Sequence, residues 1–176
     1  MPDAKLSVSI VPSPVGTLLL TATDTALCGL KFIDAANLET RLRSLRKRTG
    51  ASIRLAPNQV LDQTRRQLEE YFAGRRTTFD IPLSYSEGSV FQQKVWSTLL
   101  RIDYGRTWSY LELARSIGDP SATRAVGMAN GANPLAIVIP CHRVVNADGA
   151  LGGYGGGLSR KRVLLDLEKG QAQFAF

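Results

Sequence analysis

Apolar residues alternate with polar ones, or run together, in three short segments near the amino end of the chain. These segments are 6–11 (LSVSIV), 17–22 (TLLLTA) and 26–32 (ALCGLKF). The turn-forming sequences SPVG and TDT separate them. The pattern predicts three strands that form a small antiparallel sheet.

Helical spacing replaces alternation after these strands. Leucines at 38, 42 and 45 predict a helix over residues 36–48, and apolar residues that share one side predict a second helix over residues 60–72. We interpret the basic residues of both helices as a solvated face. Residues 77–89 (TTFDIPLSYSEGS) contain Pro, Gly and several Ser, which indicates an extended linker and a domain boundary near residue 88.

The second half of the chain is predicted to be mainly helical. Residues 91–102 carry the apolar stripe of a core helix, formed by Phe91, Val95, Trp96, Leu99 and Leu100. Two shorter helical segments follow on either side of GDPS. Gly118 ends the first of them, and Ser121 is placed to cap the second. This is the outline of a helix-turn-helix.

Composition narrows the class of protein. The chain has 176 residues, of which 44% are hydrophobic, as in a folded soluble protein. Its first residues include an acid and no long apolar run, and no segment reaches the roughly 20 apolar residues that span a bilayer. We therefore expect a cytoplasmic protein that does not enter a membrane.

The net charge of +7 favours a polyanionic partner such as nucleic acid. From Ser89 onward there are 10 Lys and Arg against 6 acidic residues, and the first half also has a basic excess. Because the excess is shared by both halves, charge alone does not locate a binding face.

The two cysteines differ in their neighbours. Cys28 and Cys141 are too few for a disulfide framework and lack metal-ligand spacing, so we predict free thiols and no metal site. Cys141 lies in AIVIPCHRVV, directly before His142, the only histidine of the chain. A buried cysteine is most often inert, but an adjoining imidazole and guanidinium favour the thiolate. Cys28 has no such neighbours and is interpreted as a packing residue.

The geometry at Cys141 raises a further requirement. In an extended chain, adjacent side chains point to opposite sides, so a turn or a bridging water must connect Cys141 with His142. Glu168 offers a third member, because it falls on the same face of a predicted helix as Leu164 and Leu165. A carboxylate there would orient the imidazole. On spacing alone, a solvated Glu168 before the helix stop at Gly170 is an equal alternative.

Small residues dominate the second helix of the helix-turn-helix outline. They are Ala122, Ala125, Gly127, Ala129 and Gly131, and Arg124 is the one long cation among them. Such a surface permits close approach to a groove of DNA. Tight packing of this helix against a neighbouring helix is the alternative.

At four places the sequence resembles the methylated-DNA–protein-cysteine methyltransferases, also called O6-alkylguanine-DNA alkyltransferases. The matching motifs are RAVGMANGANP at 124–134, PCHRVV at 140–145, GYGGG at 153–157 and LEKG at 167–170. The resemblance is strong over about residues 89–170 and covers the first half only in outline. It implies an α/β (α+β) fold in two domains. A ribonuclease-H-like domain with an antiparallel sheet would occupy residues 1–80. A linker would follow at 81–88, and a mainly helical DNA-binding and alkyltransferase domain at 89–176.

The resemblance also implies a role for each motif residue in the chemistry. Cys141 would accept the alkyl group, His142 would act as a base through a water, and Glu168 would orient His142. Asn133 would brace the turn that precedes the active-site strand. Tyr110 would help to rotate the nucleotide out of the duplex and would hydrogen-bond N3 of the base.

The same resemblance assigns the DNA-binding and pocket residues. Arg124 would fill the gap left by the flipped base, on a DNA-contacting helix that also includes Ser121, Ala125, Ala129 and Gly131. The substrate pocket would be lined by Val144, Tyr154, Gly155 and Gly156. In it, the main-chain carbonyls of Cys141 and Val144 would accept from the guanine amine, and the loop around Gly155 would donate to O6.

The implied activity is a DNA repair reaction that consumes the protein. A monomer would flip O6-alkylguanine out of double-stranded DNA and move the alkyl group irreversibly to Cys141, without a cofactor. A thioether has no good leaving group, so each molecule reacts once. The sequence leaves open whether O4-alkylthymine is also a substrate.

Three other classes of protein compete with this interpretation. A non-catalytic sensor of alkyl lesions would share the fold but lack the acceptor thiol. A cysteine hydrolase would need a direct Cys–His pair, which adjacency in sequence disfavours. A helix-turn-helix regulator would need larger side chains to read base edges.

Two features depart from the family pattern. Gly155 stands where the family commonly has serine, so a side-chain contact to O6 is lost and only the backbone donor is left. Some relatives carry a zinc ion in the amino-terminal domain, but this half of the chain has a single cysteine and no histidine, so we predict none.

Overall fold

The computed structural model of the protein describes residues 5–171 and 174. The chain divides into two compact units. The first comprises the chain up to Ser84 together with Phe174, and the second begins at Tyr85. The outer ends of the predicted domains, residues 1–4, 172–173 and 175–176, lie outside the described residues. The mixed α/β class expected from the sequence is confirmed. None of the helices within the described part has both the length and the apolar character needed to cross a membrane.

The first unit is built on a four-stranded sheet. Its elements are β1 (Lys5–Val11), β2 (Leu18–Ala22), β3 (Leu27–Phe32), α1 (Leu38–Thr49), β4 (Ser52–Arg54) and α2 (Gln59–Phe72). The strand order is β3-β2-β1-β4, and β1, β2 and β3 run antiparallel as predicted.

The fourth strand corrects the prediction of a purely antiparallel sheet. β4 pairs parallel with β1, with Lys5 opposite Ser52 and Leu6 opposite Ile53. Its three residues include one half-buried apolar side chain, which is too short a segment for an alternating pattern to reveal.

Two helices cover the sheet through their apolar stripes. In α1, which follows a 3₁₀ turn at Ala35–Asn37, three leucines pack on a small cluster of sheet residues (Leu38, Leu42, Leu45 on Val8, Leu19, Ile33). α2 buries one whole side, including Leu61, Leu68, Tyr71 and Phe72. Gly74 ends α2 in the left-handed region, with φ of 70°.

The first half of the predicted linker at 81–88 packs against the sheet of the first unit. Leu83 forms a bridge with Leu27 of β3, where the Leu27 amide donates to Pro82 O (2.8 Å) and the Ser84 amide donates to Leu27 O (2.8 Å). Ile81 is buried as well. These contacts attach residues 81–84 to the sheet of the first unit.

The second unit is mainly helical. Its elements are α3 (Val90–Leu99), β5 (Trp108–Ser109), α4 (Tyr110–Ser116), a 3₁₀ turn (Pro120–Ala122), α5 (Thr123–Gly131), a 3₁₀ turn (Cys141–Arg143), β6 (Val144–Val145) and α6 (Leu158–Glu168). The short strands β5 and β6 pair in parallel, with Trp108 opposite Val144. This pairing holds the start of α4 beside the turn that contains Cys141.

Two details of the helical prediction are corrected. Val95, Trp96 and Leu99 of α3 are buried, but Leu100 is 46% exposed because the helix ends at Leu99 and the periodic stripe ends with it. Ser121 does not cap α5. Asp119 caps the preceding 3₁₀ turn instead, by accepting from the Ser121 amide (3.1 Å) and hydroxyl (2.6 Å).

Candidate active site

Cys141 lies in a 3₁₀ turn and not in an extended strand. The Cys141 amide donates to Ile139 O (2.8 Å), and the Arg143 amide donates to Pro140 O (3.0 Å). The structure thus provides the turn that the sequence required between Cys141 and His142. Cys141 is 6% exposed and is therefore buried.

Asn133 holds this turn and contacts the sulfur. Its Nδ2 donates to Ile139 O (2.8 Å) and to Cys141 Sγ (3.0 Å), while its Oδ1 accepts from the Leu135 amide (2.9 Å). The expected bracing contact is present. The contact with Sγ has a chemical consequence, because a donor hydrogen bond to a thiolate stabilises the charged form.

The backbone before Cys141 is strained at one residue. Ile137 has φ of 70°, the one left-handed non-glycine residue in the described part of the chain. For a β-branched residue this conformation costs on the order of 1–3 kcal/mol. Two hydrogen bonds stabilise this conformation: the Ile139 amide donates to Leu135 O (2.8 Å), and the Asn133 side chain donates to Ile139 O. The tight bend directs Cys141 into the interior of the second unit.

His142 and Glu168 form a buried pair. Nε2 of His142 lies 2.7 Å from Oε1 of Glu168, and both side chains are fully buried. Burial lowers the pKa of His142 and outweighs the opposing effect of Glu168. The neutral imidazole therefore donates from Nε2, and Nδ1 has no hydrogen-bond partner among the described residues. The solvated position considered for Glu168 is wrong, since this residue is 5% exposed.

Arg143 completes the binding of the Glu168 carboxylate. Its Nε donates to Oε2 (2.8 Å) and its Nη2 donates to Oε1 (3.0 Å), the two-point geometry of a strong ion pair. Although burial raises the pKa of Glu168, the hydrogen bonds from His142 and Arg143 and the positive charge of Arg143 hold it well below its usual range. The carboxylate is therefore ionised across the neutral pH range.

A glycine donates to this carboxylate and packs closely against the main chain of the same residue. The Gly105 amide donates to Oε2 of Glu168 (3.2 Å), and a β-carbon at Gly105 would lie 3.0 Å from the Glu168 carbonyl oxygen. Arg143 is held in turn by Ile102 O, to which its Nη1 donates (2.6 Å). Sequence reasoning named neither Gly105 nor Ile102, and it noted Arg143 only as a neighbour of the thiol. The position of Arg143 within PCHRVV was the one available signal.

Lys161 is a second residue that sequence reasoning missed. It lies on α6 and is fully buried, and its Nζ donates to the carbonyl oxygens of Val144 (2.6 Å), Leu151 and Gly153 (3.2 Å). Burial lowers the pKa of Lys161 to about 8, against the opposing effect of Cys141. A lysine in the basic segment SRKR gives no sequence signal of burial, because such a run normally faces solvent.

Tyr110 and the glycine-rich loop face the same region. The hydroxyl of Tyr110, the first residue of α4, donates weakly to Gly153 O (3.5 Å). Burial, and then the proximity of Cys141, raises the pKa of Tyr110 and raises that of Tyr154 still further. Both hydroxyls are therefore neutral and can act as donors near neutral pH.

The main chain of the expected pocket is already hydrogen-bonded internally. Cys141 O accepts from Nδ2 of Asn130 (3.3 Å), and Val144 O accepts from Lys161. Each carbonyl has a second lone pair for a further donor. Gly155 is exposed, and a β-carbon there would lie 3.5 Å from Gly131 O, an ordinary contact distance.

The helix α5 presents most of the predicted DNA-contacting residues to solvent. Arg124, Ala125 and Gly131 are exposed, as is Ser121 just before the helix. Ala129 is the exception. It is 3% exposed, and its carbonyl oxygen accepts from Nε1 of Trp96 in α3 (2.8 Å), so it packs inside the unit and cannot contact DNA through its side chain. Met128, which was not predicted, is 73% exposed on the same helix.

The described residues hold no cluster of three or more His, Cys, Asp or Glu side chains that could bind a metal ion. The site instead combines the buried thiol of Cys141 and its amide donor Asn133 with a neutral His142, which donates to the ionised Glu168, and with the buried ammonium of Lys161. The helix-turn-helix and the thiol share one unit. Together they define a class of DNA-binding protein built around an internal cysteine.

Comparisons with known proteins identify the family. Residues 7–85 match the family described as 6-O-methylguanine DNA methyltransferase, ribonuclease-like domain, and residues 90–170 match its DNA binding domain. The chain therefore belongs to the 6-O-methylguanine DNA methyltransferase family.

Individual relatives agree over nearly the whole chain. A methylated-DNA–protein-cysteine methyltransferase of Mycobacterium bovis is 45% identical over 162 residues, 92% of either chain. One of Methanosarcina acetivorans is 41% identical and covers 91% of this chain and 96% of the relative. The crystal structure of Mycobacterium tuberculosis OGT in complex with DNA has a TM-score of 0.79 and 43% identity, and covers 96% of this chain and 95% of that one.

Proposed function

We propose that this protein repairs DNA by transferring the alkyl group of O6-alkylguanine irreversibly to Cys141. The observation that carries the proposal is the contact of Cys141 with Asn133, one residue before a buried His142–Glu168 pair, in a unit that matches the DNA binding domain of the family. Curated relatives at 41–45% identity are named as methylated-DNA–protein-cysteine methyltransferases, which supports the enzyme.

The proposed reaction is an in-line displacement at carbon. The thiolate of Cys141 attacks the alkyl carbon, an S–C bond forms, and the C–O6 bond breaks. The electron pair of that bond goes to guanine, which ends protonated, and the thiol proton leaves through His142. Because the product is a stable thioether, no group in the protein regenerates the thiol.

His142 is suited to take up the thiol proton. It is neutral, its Nε2 donates to Glu168, and the lone pair of its Nδ1 is therefore available to a water beside Cys141. Glu168 orients the ring and stabilises the imidazolium that forms. In this proposal Glu168 is a positioning residue that acts through His142, whereas Asn133 braces the turn and also donates to the reacting sulfur of Cys141.

DNA recognition is assigned to α5 and the loop after β6. Arg124, exposed at the start of α5, would occupy the space of the flipped nucleotide, with Ser121, Ala125 and Gly131 against the backbone. Tyr110 would donate to N3 of the base. Val144, Tyr154, Gly155 and Gly156 would line the pocket. These assignments use the exposed surface of the helix and the short distance between Tyr110 and Gly153.

The sensor alternative is disfavoured by the acceptor thiol itself. A non-catalytic lesion sensor needs the flipped base but no nucleophile, whereas this chain holds Cys141 within hydrogen-bonding distance of Asn133. We also propose that the protein is a monomer and that it is cytoplasmic. The cytoplasmic location is supported by the two cysteines, neither of which forms a disulfide, as expected in a reducing compartment.

The direct test is intact mass after incubation with a duplex that contains one O6-methylguanine. We expect one added methyl per molecule, located on Cys141 by peptide mapping, and a Cys141→Ala variant that binds the duplex without gaining mass. Cys28→Ala is the matched control and should react as the parent does. Several methyl groups transferred per molecule, or a methyl on Cys28, would contradict the proposal.

A further inference from the structure

The buried ammonium of Lys161 has no part in the chemistry proposed above. Its Nζ is surrounded by three main-chain oxygens, those of Val144 in β6 and of Leu151 and Gly153 in the following loop. A buried lysine is retained only where its donors are satisfied. Lys161 thus connects α6 to the strand β6, 17 residues earlier in the chain, and to the loop at Gly153, 8 residues earlier.

Three acceptors require the charged form of the side chain. An ammonium has three protons to donate, whereas a neutral amine has two and would leave at least one of the three carbonyl oxygens without a hydrogen bond from Lys161. The titratable groups that face Lys161 from the adjoining 3₁₀ turn are Cys141 and His142. The arrangement is therefore complete only while Lys161 is protonated.

The linked loop is held from its other side by Tyr110. Gly153 O accepts from Tyr110 as well as from Lys161, and a β-carbon at Gly152 would lie 3.2 Å from the Tyr110 ring. Gly152 also has φ of 66°, which a larger residue adopts at a cost. Residues 151–153 therefore lie between α4 and α6, directly before the pocket residues Tyr154, Gly155 and Gly156.

We propose that Lys161 is a positioning residue that fixes the loop 151–156 to β6, so that the guanine pocket is formed before the substrate arrives. It acts through the carbonyl oxygens of Val144, Leu151 and Gly153 and does not touch the reacting atoms. The inference rests on the proposed alkyl transfer, whose pocket it organises. A preformed pocket matters because a displacement of about 1 Å in a reacting group can cost 100-fold in rate.

Two other roles for Lys161 predict different behaviour. If its charge served to activate Cys141, then loss of the charge would slow every reaction of the thiol. If it served only to stabilise the fold, then its loss would lower the midpoint of unfolding and leave the transfer rate of folded protein unchanged. A probe of the thiol that does not use the guanine pocket separates these cases.

The test compares Lys161→Met, which keeps the apolar stem, with Arg162→Met, which removes an exposed charge from the next position of α6. Three quantities are measured in each: amide hydrogen exchange of residues 146–157, the single-turnover rate on O6-methylguanine duplex at saturating DNA, and the alkylation rate of Cys141 by iodoacetamide. For Lys161→Met we expect faster exchange in the loop, transfer slower by about 100-fold, and iodoacetamide alkylation within about twofold of the parent. Arg162→Met should match the parent in all three.

Several results would overturn the inference. Unchanged exchange in the loop would show that Lys161 does not hold it, and unchanged transfer would show that the loop need not be held. A parallel loss of iodoacetamide reactivity would assign Lys161 to thiol activation. If the parent itself failed to transfer methyl, the proposed function would be wrong, and the exchange measurement would still decide whether Lys161 orders the loop.

The parent protein provides a test if Lys161→Met does not fold. Because the pKa of Lys161 is lowered to about 8, the ammonium loses its proton above that pH. Alkylation of a thiol that needs no preformed pocket generally speeds up with pH, since the thiolate is the nucleophile. Transfer from DNA should therefore fall between about pH 8 and 10 while alkylation by iodoacetamide rises. Transfer and alkylation that rise together over this range would contradict the inference.

Discussion

The two units of this protein bury different kinds of side chain. Within the described residues, the first unit buries no Lys, Arg, Asp or Glu, and its largest fully buried side chains are Tyr71 and Phe72. The second unit buries His142 and Arg143, each within hydrogen-bonding distance of the buried Glu168, and it also buries Lys161. Apolar burial stabilises a fold directly, whereas buried charges are costly unless every partner is present. The first unit therefore contributes stability through apolar burial, whereas the second unit buries charged groups that are costly in stability and that serve the proposed chemistry.

The strongest test of this comparison is Glu168→Gln. The change leaves the Arg143 guanidinium buried without a full counter-charge, so we expect the free energy of unfolding to fall by about 3–5 kcal/mol and transfer to slow. Denaturant unfolding and single-turnover kinetics measure the two effects. Asp166→Gln, two residues earlier on α6 and half-buried, is the control and should change neither by much.

Glu168 also predicts a dependence of stability on pH. Its pKa is lowered in the folded protein, so its stabilising contribution is complete above the unfolded value of about 4.3 and is lost as pH falls through the folded value. The parent should lose stability steeply below about pH 4. The Glu168→Gln variant should lose less over the same range, and equal slopes in both proteins would exclude Glu168 as the source.

In the first unit, Leu20→Ala should affect stability and not chemistry. Leu20 is fully buried in β2, so the cavity should cost about 2–5 kcal/mol. The transfer rate per folded molecule, measured well below the unfolding midpoint, should stay that of the parent. Leu55→Ala, at a residue that is 80% exposed, is the matched control and should cost less than about 0.5 kcal/mol. A large fall in the transfer rate of folded Leu20→Ala would mean that the first unit also contributes to the chemistry.

Arg124→Ala should separate DNA grip from chemistry within the second unit. Without the inserted side chain the flipped state costs a few kcal/mol more, so transfer from duplex should slow by roughly 10- to 100-fold. Transfer from free O6-methylguanine base should be unchanged, since no stack is opened. Lys94→Ala, an exposed cation on α3, is the control for loss of charge. An equal loss of transfer rate on duplex and on free base would mean that Arg124 supports the fold or the pocket. DNA binding by the variant should stay salt-dependent, and the slope of log affinity against log salt concentration should fall by no more than about one phosphate contact.

The smallest expected effect is that of Gly155→Ser. A β-carbon fits at Gly155, 3.5 Å from the nearest atom, so the hydroxyl can add one hydrogen bond to O6 without disturbing the loop. Transfer should rise by up to about fivefold, consistent with about 1 kcal/mol for one hydrogen bond. Gly153→Ser, at another open position of the loop, is the comparison and should give no gain. A slower Gly155→Ser protein would show that the backbone donor alone suits this pocket.

The local spacing of apolar residues was enough to predict most of the helices and strands. The strands β1, β2 and β3 and the helices α2 and α3 were predicted close to their observed ends, because alternation and helical spacing are properties of neighbouring residues. β4 was missed because three residues carry no period. The cap assigned to Ser121 was wrong because the Ser121 hydroxyl donates to Asp119, whose carboxylate caps the preceding 3₁₀ turn.

The motif PCHRVV, together with Asn133 and Glu168, was enough to predict which residue types form the site. Their distances and burial could be read only from the folded chain. The contact of His142 with Glu168 spans 26 residues and that of Lys161 with Val144 spans 17, and Ala129 is turned inward by its packing beneath Trp96. Burial of a charge depends on whether distant segments supply its partners, and no local pattern records that. A basic run such as SRKR is therefore the same in sequence whether its lysine faces water or, as Lys161 does, donates to three main-chain carbonyl oxygens.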